Sequence, residues 1–85
     1  MKRIIFEYNA FEDFSNWAIV DKKIFLKIIS LIKDIKRDPF KGIGKPEPLK
    51  EEFSGYWSRH IDDKHRLIYK FTENNIQIIS CKGHY

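Results

Sequence analysis

Cysteine is all but missing from this sequence. Cys81 is the only one, so no intrachain disulfide can form, and neither a disulfide scaffold nor thiolate ligation of a metal has the residues it needs. The cytosol is the expected compartment. Long apolar runs are missing too. The stretch from Met1 to Tyr8 is short, broken by Glu7 and without a small-residue cleavage site, so it does not read as a secretory leader. Nothing else approaches the roughly 20 apolar residues of a membrane span, and no membrane association is expected. His60, His65 and His84 do not fall into a ligand pattern, so neither a metal nor another cofactor is expected. A large excess of one charge is also lacking. Lys and Arg number 16 against 12 Asp and Glu, a net +4 that favours a polyanion or an acidic protein as partner without choosing between them. Repeats, low-complexity tracts and linkers are absent from the pattern.

What is present suits one compact domain spanning residues 1–85, with 42% hydrophobic and 15% aromatic residues. A chain this short buries only about 60 to 65% of its unfolded surface, so a covering partner or self-association would add stability. Lys2 to Tyr8 is rich in β-branched and aromatic residues and predicts a strand. Asn9 is a candidate N-cap for a first helix carrying Phe11, Phe14 and Trp17 or Ala18 at helical spacing. Asp21 can cap a second helix, in which Ile24, Ile28, Leu31 and Ile35 recur on one face and Phe25, Ile29 and Ile32 widen it. Lys22, Lys23, Lys27, Lys33 and Lys36 fall mostly on the opposite, solvated face. Pro39 stops this helix near Arg37-Asp38, and Phe40 to Pro48 has loop chemistry throughout. A loop of that length in so small a domain needs a physical reason. Strands are predicted at about Gly55 to Ile61, Arg66 to Phe71 and Ile76 to Cys81, joined by short turns as an antiparallel meander. The predicted fold is therefore α+β: two helices packed on a small antiparallel sheet, in the order β-α-α-β-β-β.

Metal-free cleavage of RNA requires a base beside a ribose 2′-hydroxyl, a cation for the phosphorane charge and an acid for the leaving oxygen. Glu47 in a proline-stiffened loop, Arg59 and Arg66 near the ends of the first hairpin, and the closing His84-Tyr85 supply those types. Each also has a plainer role: Glu47 as a solvated loop residue, Arg66 as a surface partner of Asp62 or Asp63, and His84-Tyr85 as a frayed end. His60 and His65 suit surface or turn positions. Local spacing leaves these alternatives open.

The chain resembles the YoeB toxins of the RelE superfamily over nearly its full length. The resemblance is carried by Lys33-Asp34 with Arg37 and Pro39-Phe40, by Gly42 with Gly44-Lys45-Pro46-Glu47-Pro48-Leu49-Lys50, by Ser54-Gly55 with Trp57-Ser58-Arg59, by His65-Arg66-Leu67 with Tyr69, and by His84-Tyr85. It implies a RelE-like fold and a toxin-type mRNA interferase that cuts messenger RNA in the ribosomal A site without a metal. By the same resemblance Glu47 corresponds to the general base, His84 to the general acid, Arg66 to the transition-state cation and Tyr85 to the aromatic contact with the substrate base. Lys45, Lys50, Arg59 and His60 match the basic, RNA-facing positions. Homodimers and inactivation by a YefM-type antitoxin are implied as well.

Two positions depart from the family pattern. His60 stands where a second arginine commonly follows Arg59, and a histidine is less reliably charged there at neutral pH. Gly83 stands where a larger residue is expected, which predicts a looser tail. The cations that help a phosphate also make a neighbouring carboxylate a weaker base. A weak free nuclease is therefore expected, with the ribosome holding the attacking hydroxyl in line, an effect that can supply about 7 to 11 kcal/mol. Stacking on Tyr85, worth about 1 to 3 kcal/mol and tolerant of base identity, predicts modest sequence preference. The rival readings are a same-fold gyrase poison of the ParE type, which leaves Glu47 and His84-Tyr85 without work, and a non-catalytic RNA-binding module.

Overall fold

The computed structural model of the chain describes residues 2–83. Strand β1 (Arg3–Phe6) leads into helices α1 (Tyr8–Val20) and α2 (Lys22–Arg37). A two-residue strand β2 (Glu47–Pro48), a 3-10 turn (Glu51–Phe53) and strands β3 (Trp57–His60), β4 (Arg66–Phe71) and β5 (Asn75–Ser80) follow. The expected order is found, with β2 as an addition inside the expected loop.

Helix α2 begins as its sequence predicts. The Asp21 carboxylate accepts hydrogen bonds from the amides of Lys23 (3.1 Å) and Ile24 (3.4 Å), satisfying two donors that a helix start leaves free. Asp21 also ends α1, its own amide reaching the Trp17 carbonyl at 2.9 Å. Ile28, Leu31 and Ile35 are fully buried, with Ile24, Phe25 and Ile32 packed beside them. Each such side chain stabilises the fold by about 1.5 to 3 kcal/mol.

The start of α1 differs from expectation. The helix begins at Tyr8, Asn9 lies inside it, and the flanking Glu7 makes no side-chain cap. The Glu7 amide instead donates to the Ile78 carbonyl (2.9 Å), so the sheet ladder runs up to the helix and leaves no free residue to act as a cap. Ala10 and Trp17 are the buried positions, and Phe14 stacks between Phe6 (5.1 Å) and Phe25 (4.8 Å), whereas Phe11 is exposed.

The strand order is β1-β5-β4-β3-β2. Strands β2 to β5 are antiparallel as predicted, but β1 pairs parallel to β5, with Arg3 opposite Asn75 and Phe6 opposite Ile78. The sheet is therefore mixed rather than antiparallel. Parallel neighbours cannot be joined by a hairpin, and here the connection runs through both helices and the remaining strands. Leu67, Tyr69, Ile76 and Ile78 face the helices and, with Cys81, complete the core. Among the described residues no helix is long and apolar enough to cross a membrane.

Candidate active site

Side chains alternate across a strand, and residues directly opposite each other share a face. Leu67 and Tyr69 face the helices, so Arg66, Ile68 and Lys70 take the other face of the sheet. The pairing register extends that face. Glu47 sits opposite Ser58, Ser58 opposite Ile68 and Ile68 opposite Ser80, a single row across β2 to β5, and His60 opposite Arg66 belongs to the adjoining row. With strands ~4.8 Å apart and a rise of ~3.4 Å per residue, the Cα atoms of Glu47 and Arg66 lie about 12 Å apart. Long side chains from both positions can bracket a group between them.

A β-bulge shapes the floor. Ile68 pairs with Ser80 and Tyr69 with Ile78, which leaves Ile79 unpaired. Ile79 and Ser80 consequently line the same cavity of about 220 Å³, together with Leu49, Phe53, Tyr56, Ile68 and Lys82. This is an apolar, aromatic-sided recess on the face that carries Glu47 and Arg66. A larger open depression of about 470 Å³ beside α1 contains Glu12 and Asp13 and no cation, the wrong chemistry for a polyanion.

Glu47 is exposed and reaches the row because β2 is tied to β3 on both sides. The Leu49 amide donates to the Tyr56 carbonyl (2.8 Å), and the His60 amide donates to the Gly44 carbonyl (2.6 Å). Lys45 and Lys50 are exposed and flank Glu47 in sequence, Lys45 with a backbone in the left-handed region (φ 52). His60 is half-buried and opposite Arg66. Among the described residues, none of Glu47, Lys45, Lys50 and Arg66 enters an ion pair.

The expectation that Arg59 faces RNA is corrected. Its pairing with Leu67 turns it to the helix side, where its relative exposure is 0%. A guanidinium has five N–H donors, and here each has an acceptor. Nε donates to Tyr69 Oη (3.2 Å), Nη1 to Asp34 Oδ2 (2.5 Å) and the Ile43 carbonyl (3.1 Å), and Nη2 to the carbonyls of Asp38 (2.7 Å) and Lys41 (3.2 Å). Tyr69 Oη in turn donates to the Pro39 carbonyl at 2.9 Å. This is why a long loop stays ordered in a small domain. The carbonyls that water would otherwise solvate are held by one buried cation, and the loop then delivers Glu47 to the sheet.

Asp34 makes that burial possible. Its carboxylate takes two bonds from Arg37 (2.9 and 3.2 Å), the Arg59 bond and one from the Ile43 amide (2.9 Å). Hydrogen bonding from Arg37 first and Arg59 second lowers its pKa to about 2. Sequence reasoning assigned Asp34 and Tyr69 no role. One signal was available: an acid in the last turn of a helix opposes the helix dipole and calls for a compensating partner.

Arg66 does not pair with the carboxylates of Asp62 or Asp63. Its Nη1 donates to the carbonyls of Asp62 (2.8 Å) and His65 (3.1 Å), fixing the side chain without neutralising it. At the chain end, His84 and Tyr85 lie outside the described residues. Gly83 precedes them with φ 69, and both its backbone groups are bonded, its amide to His65 Nδ1 (2.8 Å) and its carbonyl to the Arg66 amide (2.9 Å). Gly83 thus supplies a left-handed turn whose own backbone is fastened in place, while the looser tail expected at His84 and Tyr85 falls outside the described residues. No group of three or more His, Cys, Asp or Glu residues that could hold a metal occurs among the described residues.

Known proteins with this sequence pattern and fold agree with one another. The sequence model of a family described as YoeB-like toxin of bacterial type II toxin-antitoxin system matches residues 6–85. A YoeB toxin of Streptomyces coelicolor is 54% identical over 98% of this chain and 99% of its own length. One from Escherichia coli K12 is 46% identical over the same shares. Among solved structures, a YoeB/ParE toxin from Agrobacterium tumefaciens superposes with a TM-score of 0.94 at 39% identity, covering all of both chains. A YoeB dimer from Staphylococcus aureus gives 0.93 at 47% identity over 99% of this chain and 98% of that one. YafQ from E. coli, at 19% identity and a TM-score of 0.78, shares the fold. The chain belongs to the YoeB family of toxins of bacterial type II toxin-antitoxin systems.

Proposed function

We propose that this toxin is a ribosome-dependent endoribonuclease that cuts messenger RNA in the A site by metal-independent acid-base catalysis. The observation that supports it best is the shared outer face of the sheet. A carboxylate on β2 and an unneutralised guanidinium on β4 stand about 12 Å apart at Cα, with Ser58 and Ile68 on the same face, beside an apolar recess and next to Gly83, whose amide His65 holds.

In this reading Glu47 withdraws the 2′-hydroxyl proton, Arg66 stabilises the phosphorane charge and His84 protonates the leaving oxygen, while Tyr85 contacts the base. Lys45, Lys50 and His60 hold flanking phosphates. Arg59 takes no part in RNA contact. It positions the loop that carries Glu47. The recess lined by Phe53 and Tyr56 has room for one nucleobase.

Residues 1–85 act as one cytoplasmic domain in this proposal. Its partners are the ribosome with its message, a second copy of the chain and a YefM-type antitoxin. Two neighbours support the second copy and the antitoxin: the S. aureus YoeB dimer and a heterotetrameric YoeB–YefM complex, the latter aligning at 46% identity with a TM-score of 0.91.

The test is a reconstituted translation reaction on a defined message, with cuts mapped by primer extension for wild type and His84→Ala. Wild-type cuts confined to the A-site codon, reduced roughly 10²- to 10⁴-fold in the variant, are expected for loss of a general acid. No cleavage by the wild type would overturn the nuclease reading, and equal cleavage by both proteins would remove His84 from the chemistry.

A further inference from the structure

We infer that His65 is a positioning residue. Its neutral imidazole clasps the backbone of Gly83 and thereby sets where His84 enters the site, an inference that rests on the nuclease reading given above.

Three elements converge on the tail after β5. Cys81 is fully buried, and its carbonyl accepts the indole N–H of Trp17 from α1 at 3.0 Å. Two residues later the Gly83 amide donates to His65 Nδ1 (2.8 Å), and the Gly83 carbonyl accepts the Arg66 amide (2.9 Å). The tail is thus pinned at residue 81 and on both sides of residue 83, immediately before His84.

The His65 ring has little freedom of its own. It packs edge-to-face with Trp17, with centroids 4.9 Å apart at 70°. Its backbone is locked into the turn between β3 and β4, where its amide donates to Asp62 Oδ1 (2.7 Å) and its carbonyl accepts from the Ile61 amide (2.9 Å). A backbone amide can only donate, so Nδ1 must present a lone pair and the proton of the neutral ring must sit on Nε2.

The same stretch of chain therefore holds Arg66 and the residue that precedes His84 in the chain. Arg66 follows His65 on β4, and its Nη1 donates to the His65 carbonyl (3.1 Å), while its amide holds Gly83. Through these bonds His65 couples the position of the cation to that of the backbone from which the acid follows. Displacing a catalytic group by about 1 Å can cost ~10²-fold in rate.

The experiment compares wild type with His65→Asn, His65→Gln and His65→Ala in the full chain. Asn places an amide oxygen near the position of Nδ1, whereas Gln places its polar end nearer Nε2. In amide spectra the Gly83 signal should lie downfield and exchange slowly in wild type and His65→Asn, and lose both properties in the Gln and Ala variants. Long-range proton–nitrogen spectra of wild type should show an unprotonated Nδ1 and a protonated Nε2.

In ribosome-bound cleavage, kcat should fall roughly 10²-fold for Ala and Gln with KM nearly unchanged, and His65→Asn should recover most of the rate. Equal rates in all four proteins, equal loss in Asn and Ala, or a Gly83 amide indifferent to the substitution would overturn the inference. Should the wild type cut no message at all, the nuclease reading falls. The Gly83 and His65 spectra then decide the clasp on their own: bonded supports it, unbonded overturns it.

Discussion

Arg59 and Asp34 show how a single residue pair can serve a site it never enters. The pair is buried on one side only, Arg59 at 0% and Asp34 at 14% side-chain exposure, so removing the acid strands an enclosed cation. Asp34→Ala should lower unfolding free energy in urea by about 3 to 5 kcal/mol. The acid limb follows from the same carboxylate. Its folded pKa, about 2, lies below the usual 3.8, so the stability it contributes is complete above about pH 4 and is lost as pH falls toward 2. In Asp34→Asn that part of the limb, about 2 kcal/mol, should disappear from a pH series of denaturation curves. Cys81 makes a second test at this scale. Burial, helped by Asp13, pushes its thiol up to about 12. A thiol reagent at pH 8 should modify the native protein far more slowly than the protein in denaturant, and equal rates would show that Cys81 is accessible.

At the scale of elements, local signals worked where the local backbone decides the outcome. The Asp21 cap, the Ile28-Leu31-Ile35 stripe, the stop before Pro39 and the span of β4 all follow from spacing and capping chemistry, and both ends of α2 match. Asp21→Ala should cost about 1 kcal/mol in a denaturation midpoint, because two amide donors lose their acceptor. Signals failed where an element depends on a distant partner. Strand β2 is only two residues, one of them Pro48, and exists because β3 lies beside it. The start of α1 is set by the Glu7 amide on Ile78, a contact across the fold that Asn9 could not announce.

For the whole molecule, the sheet divides the work. Its helix side encloses Leu67, Tyr69 and the Arg59 cluster, and its outer side gathers Glu47, Ser58, His60, Arg66 and the recess between Leu49 and Ile79. Glu47→Gln keeps size and shape while removing the base, so cleavage on the ribosome should fall roughly 10²- to 10⁴-fold with the fold intact by circular dichroism. Unchanged cleavage would move the base elsewhere. By itself the sequence determined which residue types were available, the two helices, the hairpin strands and the family, since these rest on spacing and motif identity along the chain. Only the tertiary structure decided that Arg59 is interior while Arg66 is not, that β1 runs parallel to β5, and that His65 grips the tail. The physical reason is register. A strand residue's face and neighbours are set by which residue it pairs with across the sheet, and a shift of one position reverses both.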